Sequence, residues 1–282
     1  WPRAIRVDGA GNAYVVGVPS PRDFPLTPGA LKTSLGRGFI AKLNPAGSAL
    51  IYSTYFEAPI LAFDIDSSGA AYLGALDAYL SKIDASGKSL IYSTHLGEKL
   101  SGWVESIAVD SRGAAWVAGG GTALIRLAPS GGAIEATASL GSRPLADNTV
   151  NFVALDSQEN VYAVGHFSPG NVSPTANAEL AAPCSPSGGD FLAQLNPAGK
   201  FLYASFMRRA VVWSDVGRIL PALAGPGRVV VNSQSFGAEI VTLDLSTTAA
   251  RSFVCPVNGA SFSLGDGVVP GEIVSIFGYA LG

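Results

Sequence analysis

The chain has 282 residues, of which 48% are hydrophobic and only 14% are charged, with 34 glycines and 18 prolines. This composition excludes intrinsic disorder and favours a turn-rich, sheet-rich fold with a well-buried core. The formal net charge of -3 gives no basic footprint for nucleic acid, and no apolar run is long enough to predict a membrane span.

The sequence contains a two-part unit that is repeated four times. The first block reads DGAGNAYVVG, DSSGAAYLGA, DSRGAAWVAG and DSQENVYAVG, beginning at Asp8, Asp66, Asp110 and Asp156. The second block reads AKLNPAGSALIYST, SKIDASGKSLIYST, IRLAPSGGAIEATA and AQLNPAGKFLYASF, beginning at Ala41, Ser81, Ile125 and Ala193. Repetition of this kind indicates one supersecondary unit used several times.

Each unit predicts four short strands. In the third copy, residues 106–110 and 115–118 form two alternating apolar runs around a Ser-Arg-Gly turn, which is typical of a hairpin. The second block predicts another hairpin, with strands at 123–127 and 133–137. Since no helical period separates the strands, we predict an all-β fold, a β-propeller made of four-stranded antiparallel blades.

The spacing between copies locates two insertions. The repeated aspartates are separated by 58, 44 and 46 residues, whereas a four-stranded blade takes about 40–50. The extra residues lie between the second and third strands of the first and fourth blades, in segments 18–38 and 166–189. We expect both insertions to crowd one face of the disc, opposite the tight Asp turns, and we expect any ligand to bind there.

The predicted propeller covers residues 1–255, in blades at 1–58, 59–102, 103–145, 146–210 and 211–255. The fifth blade is divergent, and the number of blades in the complete ring is left open. Residues 256–282 match no blade and predict the beginning of another module.

Three segments carry a resemblance to a known family. DGAGNAYVVG, DFPLTPGA from Asp23, and FIAKLNPAGSALIYSTY from Phe39 resemble the bacterial beta-propeller repeat family known as SBBP repeats. The second and third blades lack the insertion of that family's unit, and the fourth replaces it with an unrelated Pro/Ser/Asn-rich segment. The tail is similar to the opening of an Ig-like C-terminal module of acidobacterial secreted proteins. The resemblance implies part of a large modular protein that is extracellular or exposed at the cell surface.

The repeated acidic and aromatic residues predict structural roles. One carboxylate per turn is too few for a calcium loop, and an Asp that opens a turn accepts hydrogen bonds from nearby backbone N–H groups. This prediction applies to Asp8, Asp66, Asp110 and Asp156. An aromatic residue follows each Asp by six positions and is expected to pack between blades: Tyr14, Tyr72, Trp116 and Tyr162.

The candidates for ligand contact are the residues predicted on the insertion face, namely Asp23, Phe24, Arg37, Trp103 and His166. His95 is predicted at an outer blade edge without a role. An isolated His is a poor metal site, and no GxSxG motif is present, so neither a metal nor another cofactor is predicted. The two cysteines, Cys184 and Cys255, either form one disulfide or stay free, and spacing does not decide between these states.

Together these features predict a non-catalytic binding or display scaffold with a glycan or protein ligand on the insertion face. The alternative is a propeller enzyme, a lyase or hydrolase acting on polysaccharide or a small lactone, with His166 and nearby carboxylates at its site. A pure spacer is the third possibility. No nucleic-acid partner is expected, and the oligomeric state is left open.

Overall fold

The computed structural model is almost entirely β-strand. It describes residues 1–19, 24–100, 102–141, 148–168, 170, 172–178, 180–182, 188–207, 222–225, 227–233, 239–245, 257–258 and 274–275. Within these ranges the only helical element is one 3-10 turn at Gly97–Lys99. No helix of the described residues is long and apolar enough to cross a membrane.

Four sheets of four antiparallel strands account for the four repeats, and in each sheet the strands lie side by side in chain order. Blade 1 contains β1 (Pro2–Val7), β2 (Ala13–Gly17), β3 (Gly38–Leu43) and β4 (Leu50–Phe56). Blade 2 contains β5 (Ile60–Ile65), β6 (Ala71–Ala75), β7 (Tyr79–Ile83) and β8 (Leu90–His95). Blade 3 contains β9 (Val104–Val109), β10 (Ala115–Gly119), β11 (Ala123–Leu127) and β12 (Ile134–Ser139). Blade 4 contains β13 (Thr149–Leu155), β14 (Val161–Phe167), β15 (Gly189–Leu195) and β16 (Phe201–Phe206).

The chain after blade 4 forms smaller sheets. A three-stranded sheet contains β17 (Ala222–Gly225), β18 (Arg228–Ser233) and β19 (Glu239–Asp244), where the sequence predicts a divergent fifth blade. In the predicted tail module, β20 (Val257–Asn258) and β21 (Val274–Ser275) are described.

The Asp turns connect the first and second strands of each blade with a tight hydrogen-bonded loop. In blade 1 the N–H of Gly11 donates to the carbonyl of Asp8 at 2.9 Å, and Gly11 has φ +84°. Glycine adopts this left-handed conformation without a steric penalty. Glu159 takes the same position in blade 4 at φ +61°, so this copy of the turn retains its shape at the cost of backbone strain.

In blades 1 to 3 the hydrophobic core lies between neighbouring blades. Tyr14 and Ile40 of blade 1 pack with Phe63 and Leu73 of blade 2 in one buried cluster. A second cluster joins blade 2 to blade 3 in the same way and includes Tyr72. These three blades therefore share their cores with their neighbours, since a sheet buries its apolar face against another layer.

The chain divides into two compact units, Trp1–Thr137 and Ala138–Gly282. The first unit contains blades 1 and 2 and most of blade 3. The second unit contains blade 4 and the β17–β19 sheet, and its described core includes Tyr162, Val164 and Leu192.

Candidate functional site

The repeated Asp of each blade holds its own turn. In blade 1, Asp8 Oδ1 accepts hydrogen bonds from the N–H groups of Ala10 at 3.0 Å and Asn12 at 2.9 Å. In the other three blades, Oδ1 of the repeated Asp also accepts hydrogen bonds from the backbone N–H groups of the second and fourth residues after it, at 2.8 to 3.0 Å. The first oxygen of each carboxylate is therefore used by the local backbone.

The second carboxylate oxygen faces a polar side chain that we did not single out from the sequence. Lys42 Nζ lies 3.5 Å from Asp8 Oδ2 and 4.6 Å from the centroid of the Tyr14 ring. The equivalent residues of the four blades are Lys42, Lys82, Arg126 and Gln194. Each lies two residues before the turn of the second block, so the aligned repeats contain the signal.

The protonation states of this network are suited to structure rather than to proton transfer. Burial raises the pKa of Asp8, but hydrogen bonds from Asn12 and Tyr14 outweigh it and bring the pKa to about 2. Hydrogen bonding outweighs burial in the same way and lowers the pKa of Asp66, Asp110 and Asp156. Burial raises the pKa of Tyr162 to about 12. At neutral pH the carboxylates are therefore charged and the phenol is protonated.

The four repeated aromatic side chains are buried to 1% exposure or less. The Tyr72 hydroxyl donates to the carbonyl of Gly113 in blade 3 at 2.7 Å, and the Tyr14 hydroxyl lies 3.3 Å from the carbonyl of Gly69 in blade 2. Within the second unit, the N–H of Gly227 donates to the Tyr162 hydroxyl at 2.7 Å. These tyrosines therefore join consecutive sheets and present no ring to a ligand.

The insertion of blade 1 lies along the outer edge of β4. Thr27 donates its N–H to the carbonyl of Ser53 at 3.3 Å and accepts the N–H of Ser53 on its Oγ1 at 2.9 Å. The carbonyl of Lys32 then accepts the N–H of Tyr55 at 3.2 Å. An outer strand leaves a row of unpaired backbone groups, and the insertion satisfies them. The prediction that this segment crowds one face is therefore wrong for residues 24–37.

The insertion of blade 4 makes the same contacts, although the sequence comparison treats it as unrelated. Thr175 donates its N–H to the carbonyl of Ala204 at 2.9 Å and accepts the N–H of Ala204 on Oγ1 at 3.0 Å. The carbonyl of Leu180 accepts the N–H of Phe206 at 3.1 Å. Both insertions contain Thr-x-x-Ala, in TPGA and TANA, and this short pattern is the signal that sequence reasoning missed.

The ligand candidates in the first insertion either make structural contacts or lie outside the described residues. The centroid of the Phe24 ring lies 4.5 Å from that of Phe39 and 5.4 Å from that of Tyr55. Phe24 therefore packs between the insertion and the blade. Arg37 is exposed, and its N–H donates to the carbonyl of Glu57. Asp23 lies outside the described residues, as do both cysteines of the possible disulfide, Cys184 and Cys255.

Asp64 connects the first strands of three blades. Its carboxylate accepts from Arg6 Nε of β1 at 3.3 Å and from the N–H of Val109 of β9 at 2.9 Å. Burial raises the pKa of Asp64 in spite of these contacts. We assign it a structural role, because its oxygens are engaged by neighbouring strands.

His166 and Asp190 form a hydrogen-bonded pair in blade 4. The two residues are paired across β14 and β15, and His166 Nδ1 lies 3.0 Å from Asp190 Oδ1. The Asp190 side chain is fully buried, whereas that of His166 is 34% exposed. Thr149 pairs with His166 from the other side, on β13. A buried carboxylate that orients a partly exposed imidazole is the geometry of a general base.

Exposed apolar and aromatic side chains gather at one end of blade 2, where the turn between β6 and β7 meets the connection to blade 3. Trp103 forms a β-bridge with Leu76, and the Tyr79 ring stacks 4.9 Å from the ring of His95. Trp103 and Tyr79 are 38% and 42% exposed. We call these four residues the blade 2 patch. Of the sequence candidates, only Trp103 belongs to it.

The turn inside this patch is strained. Asp77 and Ala78 both have left-handed backbones, at φ +58° and +55°. Non-glycine residues adopt this conformation at a cost, and such strain concentrates at functional sites. Among the described residues, no cluster of three or more His, Cys, Asp or Glu side chains could hold a metal ion.

The fold defines an all-β protein of propeller-like architecture, built from four-stranded antiparallel blades. No family model and no curated protein sequence matches the chain. Among solved structures, the chain is similar to hydrazine synthase of Kuenenia stuttgartiensis, with a TM-score of 0.50 and 11% identity over 88% of this chain and 68% of that one. A protein of unknown function from Bacteroides caccae matches with a TM-score of 0.47 and 11% identity, covering 75% of this chain and 66% of that one. At this identity the likeness concerns the fold alone.

Proposed function

We propose that the chain is a non-catalytic binding scaffold that holds a glycan or protein ligand on the blade 2 patch. The observation that supports it is the clustering of Leu76, Tyr79, His95 and Trp103, all exposed, at one blade end. Exposed aromatic and apolar side chains at neighbouring positions are typical of interaction sites, whose hot spots are enriched in Trp and Tyr.

The electrostatics of the patch favour an uncharged contact surface on the ligand. Asp77 is the one acidic residue in the turn between Leu76 and Tyr79, and the other members of the patch offer flat rings or an aliphatic chain. A ligand would therefore bind by stacking and apolar contact, with few ion pairs and a weak dependence on salt.

The test is calorimetric titration of the chain with hits from an oligosaccharide and protein-ligand screen. Trp103→Ala and Tyr79→Ala should each weaken binding roughly tenfold or more, because both remove a central aromatic contact. Ile51→Ala is the matched control, since Ile51 is a similarly exposed apolar residue on the outer strand of blade 1. If the Trp103→Ala and Ile51→Ala variants bind the ligand with equal affinity, the blade 2 patch is not the binding site.

A second candidate function rests on the pair of His166 and Asp190. It is a lyase or hydrolase acting on polysaccharide or a small lactone, in which Asp190 orients His166 as the base. If the scaffold proposal holds, His166→Ala leaves ligand affinity within about threefold. A turnover that falls by orders of magnitude in both His166→Ala and Asp190→Asn would instead establish the enzyme.

We also propose that the chain belongs to a modular protein that is extracellular or at the cell surface, with SBBP-type repeats over roughly residues 1–206 of a propeller that ends at 255, and an Ig-like module beginning at 256. The in-register repetition of the Asp–Tyr–Lys contacts supports the first part. Limited proteolysis should cut near residue 256 and leave fragment 1–255 intact. Surface labelling of producing cells tests the location, and a protein found only in the cytosol would contradict it.

A further inference from the structure

In the part of the chain that the structure describes, the outer edge of β8 in blade 2 is uncovered, although its sequence is almost that of a covered edge. β4 contains Leu-Ile-Tyr-Ser-Thr-Tyr and β8 contains Leu-Ile-Tyr-Ser-Thr-His, in the same register with their third strands. Ser93 and His95 therefore correspond to Ser53 and Tyr55. In the described part of the chain, no residue bonds to the N–H or carbonyl of Ser93 on this side, or to the N–H of His95.

A large difference in burial lies in the part of the strand that an insertion would cover. Ile51 and Ile91 are similarly exposed, at 48% and 52%. Two positions further on, Ser53 is fully buried whereas Ser93 is exposed. Blade 2 thus has the acceptor edge of blade 1 without its occupant.

Blades 1 and 4 show what such an edge accepts. In both blades an extended segment places a Thr beside one outer-strand residue, and this Thr both donates its N–H and accepts on its hydroxyl. The two segments differ in most other residues. Their shared contacts are main-chain pairing, the Thr hydroxyl, and one outer-strand hydroxyl, that of Thr54 or Ser205, which accepts the N–H of Lys32 or Leu180 at 2.8 or 2.9 Å. Addition of an extended peptide to an open sheet edge uses the same bonds between molecules.

We propose that the outer edge of β8 binds an extended, Thr-containing segment of a partner protein by β-strand addition. The partner's Thr takes the place of Thr27 and pairs with the N–H and carbonyl of Ser93. Ser93 Oγ is bonded to Ser81 Oγ at 2.8 Å, whereas Thr94 donates to the carbonyl of Gly131 at 2.7 Å and can still accept one N–H, as Thr54 accepts that of Lys32. Recognition therefore runs mainly through the backbone of β8.

The probe is a synthetic peptide of this chain's own covering segment, FPLTPGALKTSLGR, residues 24–37, titrated into the full chain. The edges of blades 1 and 4 are already occupied, and blade 3 also lacks an insertion, so binding that depends on Ser93 identifies the site at β8. A peptide with Thr27→Val keeps its shape but loses the acceptor, and it should bind roughly tenfold more weakly or worse.

Two variants of the protein separate the backbone contact from the side chain. Ser93→Pro removes the outward N–H, a change that edge strands tolerate in their fold, and it should abolish binding. Ser93→Ala keeps the N–H and should bind the peptide within about threefold of wild type. Thermal unfolding of both variants verifies that the blade is intact.

A third variant supplies the occupant within the chain itself. Transplanting residues 18–37 into the turn between β6 and β7 should cover the edge and block the peptide. Equal binding by wild type, Ser93→Pro and the transplant would overturn the proposal, as would self-association of the chain through β8 without peptide binding. Trp103→Ala leaves peptide binding unchanged, so failure here is distinguishable from failure of the blade 2 patch.

Discussion

The Tyr72 hydroxyl of blade 2 donates a 2.7 Å hydrogen bond to the carbonyl of Gly113, which lies in the Asp turn of blade 3. The same hydroxyl lies 3.2 Å from Asp66 Oδ2, in the turn of its own blade. Asp66 therefore shapes one turn and orients the side chain that contacts the next. This double role explains the spacing of six residues between Asp and Tyr, which also places the hydroxyls of Tyr14 and Tyr162 beside Asp8 and Asp156.

Removing that hydroxyl should loosen the contact between blades 2 and 3. Tyr72→Phe is expected to destabilise the fold by about 1 kcal/mol, because a buried carbonyl loses its donor. Urea unfolding measures the change. Tyr52→Phe is the control, since the buried Tyr52 hydroxyl has no hydrogen-bond partner among the described residues. Equal losses in both variants would mean that the bond to Gly113 contributes nothing specific.

Two equivalent glycines in the second-block turns should respond differently to substitution. Gly47 and Gly87 have φ of +67° and +73°, but only a Cβ on Gly87 would overlap the Tyr52 ring of the neighbouring blade. Gly47→Ala should cost about 1–2 kcal/mol for the left-handed backbone. Gly87→Ala should cost about 1–3 kcal/mol more from overpacking. Thermal unfolding of the pair isolates the contact between blades, and identical melting temperatures would contradict it.

The insertion of blade 1 should protect the edge of β4 through Thr27. Thr27→Val leaves the buried N–H of Ser53 without its acceptor, at a cost of about 1–3 kcal/mol. Hydrogen exchange should therefore accelerate at the Ser53 amide in particular. Thr33→Val, at an exposed position in the same segment, provides the control and should change neither quantity. Unchanged protection at Ser53 would show that the edge is held by other contacts.

Stability should fall in acid because of the turn aspartates. The pKa of Asp8 is about 2 in the fold, against about 3.9 in an unfolded chain. Its contribution is therefore complete above pH 4 and is lost as pH falls toward 2. Asp8→Asn should flatten the profile of unfolding free energy between pH 5 and 2.

Asp64 should have the opposite effect on the pH dependence of stability, because burial raises its pKa in the fold. Its protonated form favours the native state, so its contribution is present below the unfolded pKa and is lost as pH rises through the folded value. Asp64→Asn should make the acid side of the profile steeper than that of wild type. Parallel profiles for the two Asn variants would contradict both assignments.

The blades were predictable because their information is local. The Asp turn, the Gly at positive φ and the alternation of strand residues all lie within about ten residues of one another, and four copies of the pattern reinforce the interpretation. Lys42 and its equivalents could also have been predicted, since they occupy the same position in each of the aligned repeats. They were missed because an isolated Lys on a strand is usually a solvated residue.

The path of the insertions could not be predicted from spacing. A loop between the second and third strands begins and ends at one end of the blade, which says nothing about where its middle lies. Thr27 and Thr175 pair with the outer strand because its unpaired backbone N–H and carbonyl groups form hydrogen bonds with a nearby extended segment. The blade 2 patch was missed for a related reason, since Leu76, Tyr79 and His95 are ordinary strand residues until the absence of an insertion leaves them exposed.

The sequence by itself determined the repeat, the four-stranded blades, the turn aspartates and the positions of both insertions, because hydrogen bonding within a hairpin depends on nearest neighbours along the chain. Only the tertiary structure decided which edges are covered, which aromatic rings reach solvent and which aspartates are bridged between blades. Those properties depend on segments far apart in sequence competing for the same backbone groups and the same buried surface. Among the described residues, two blades with nearly the same outer strand, β4 and β8, therefore end with one edge covered and the other uncovered.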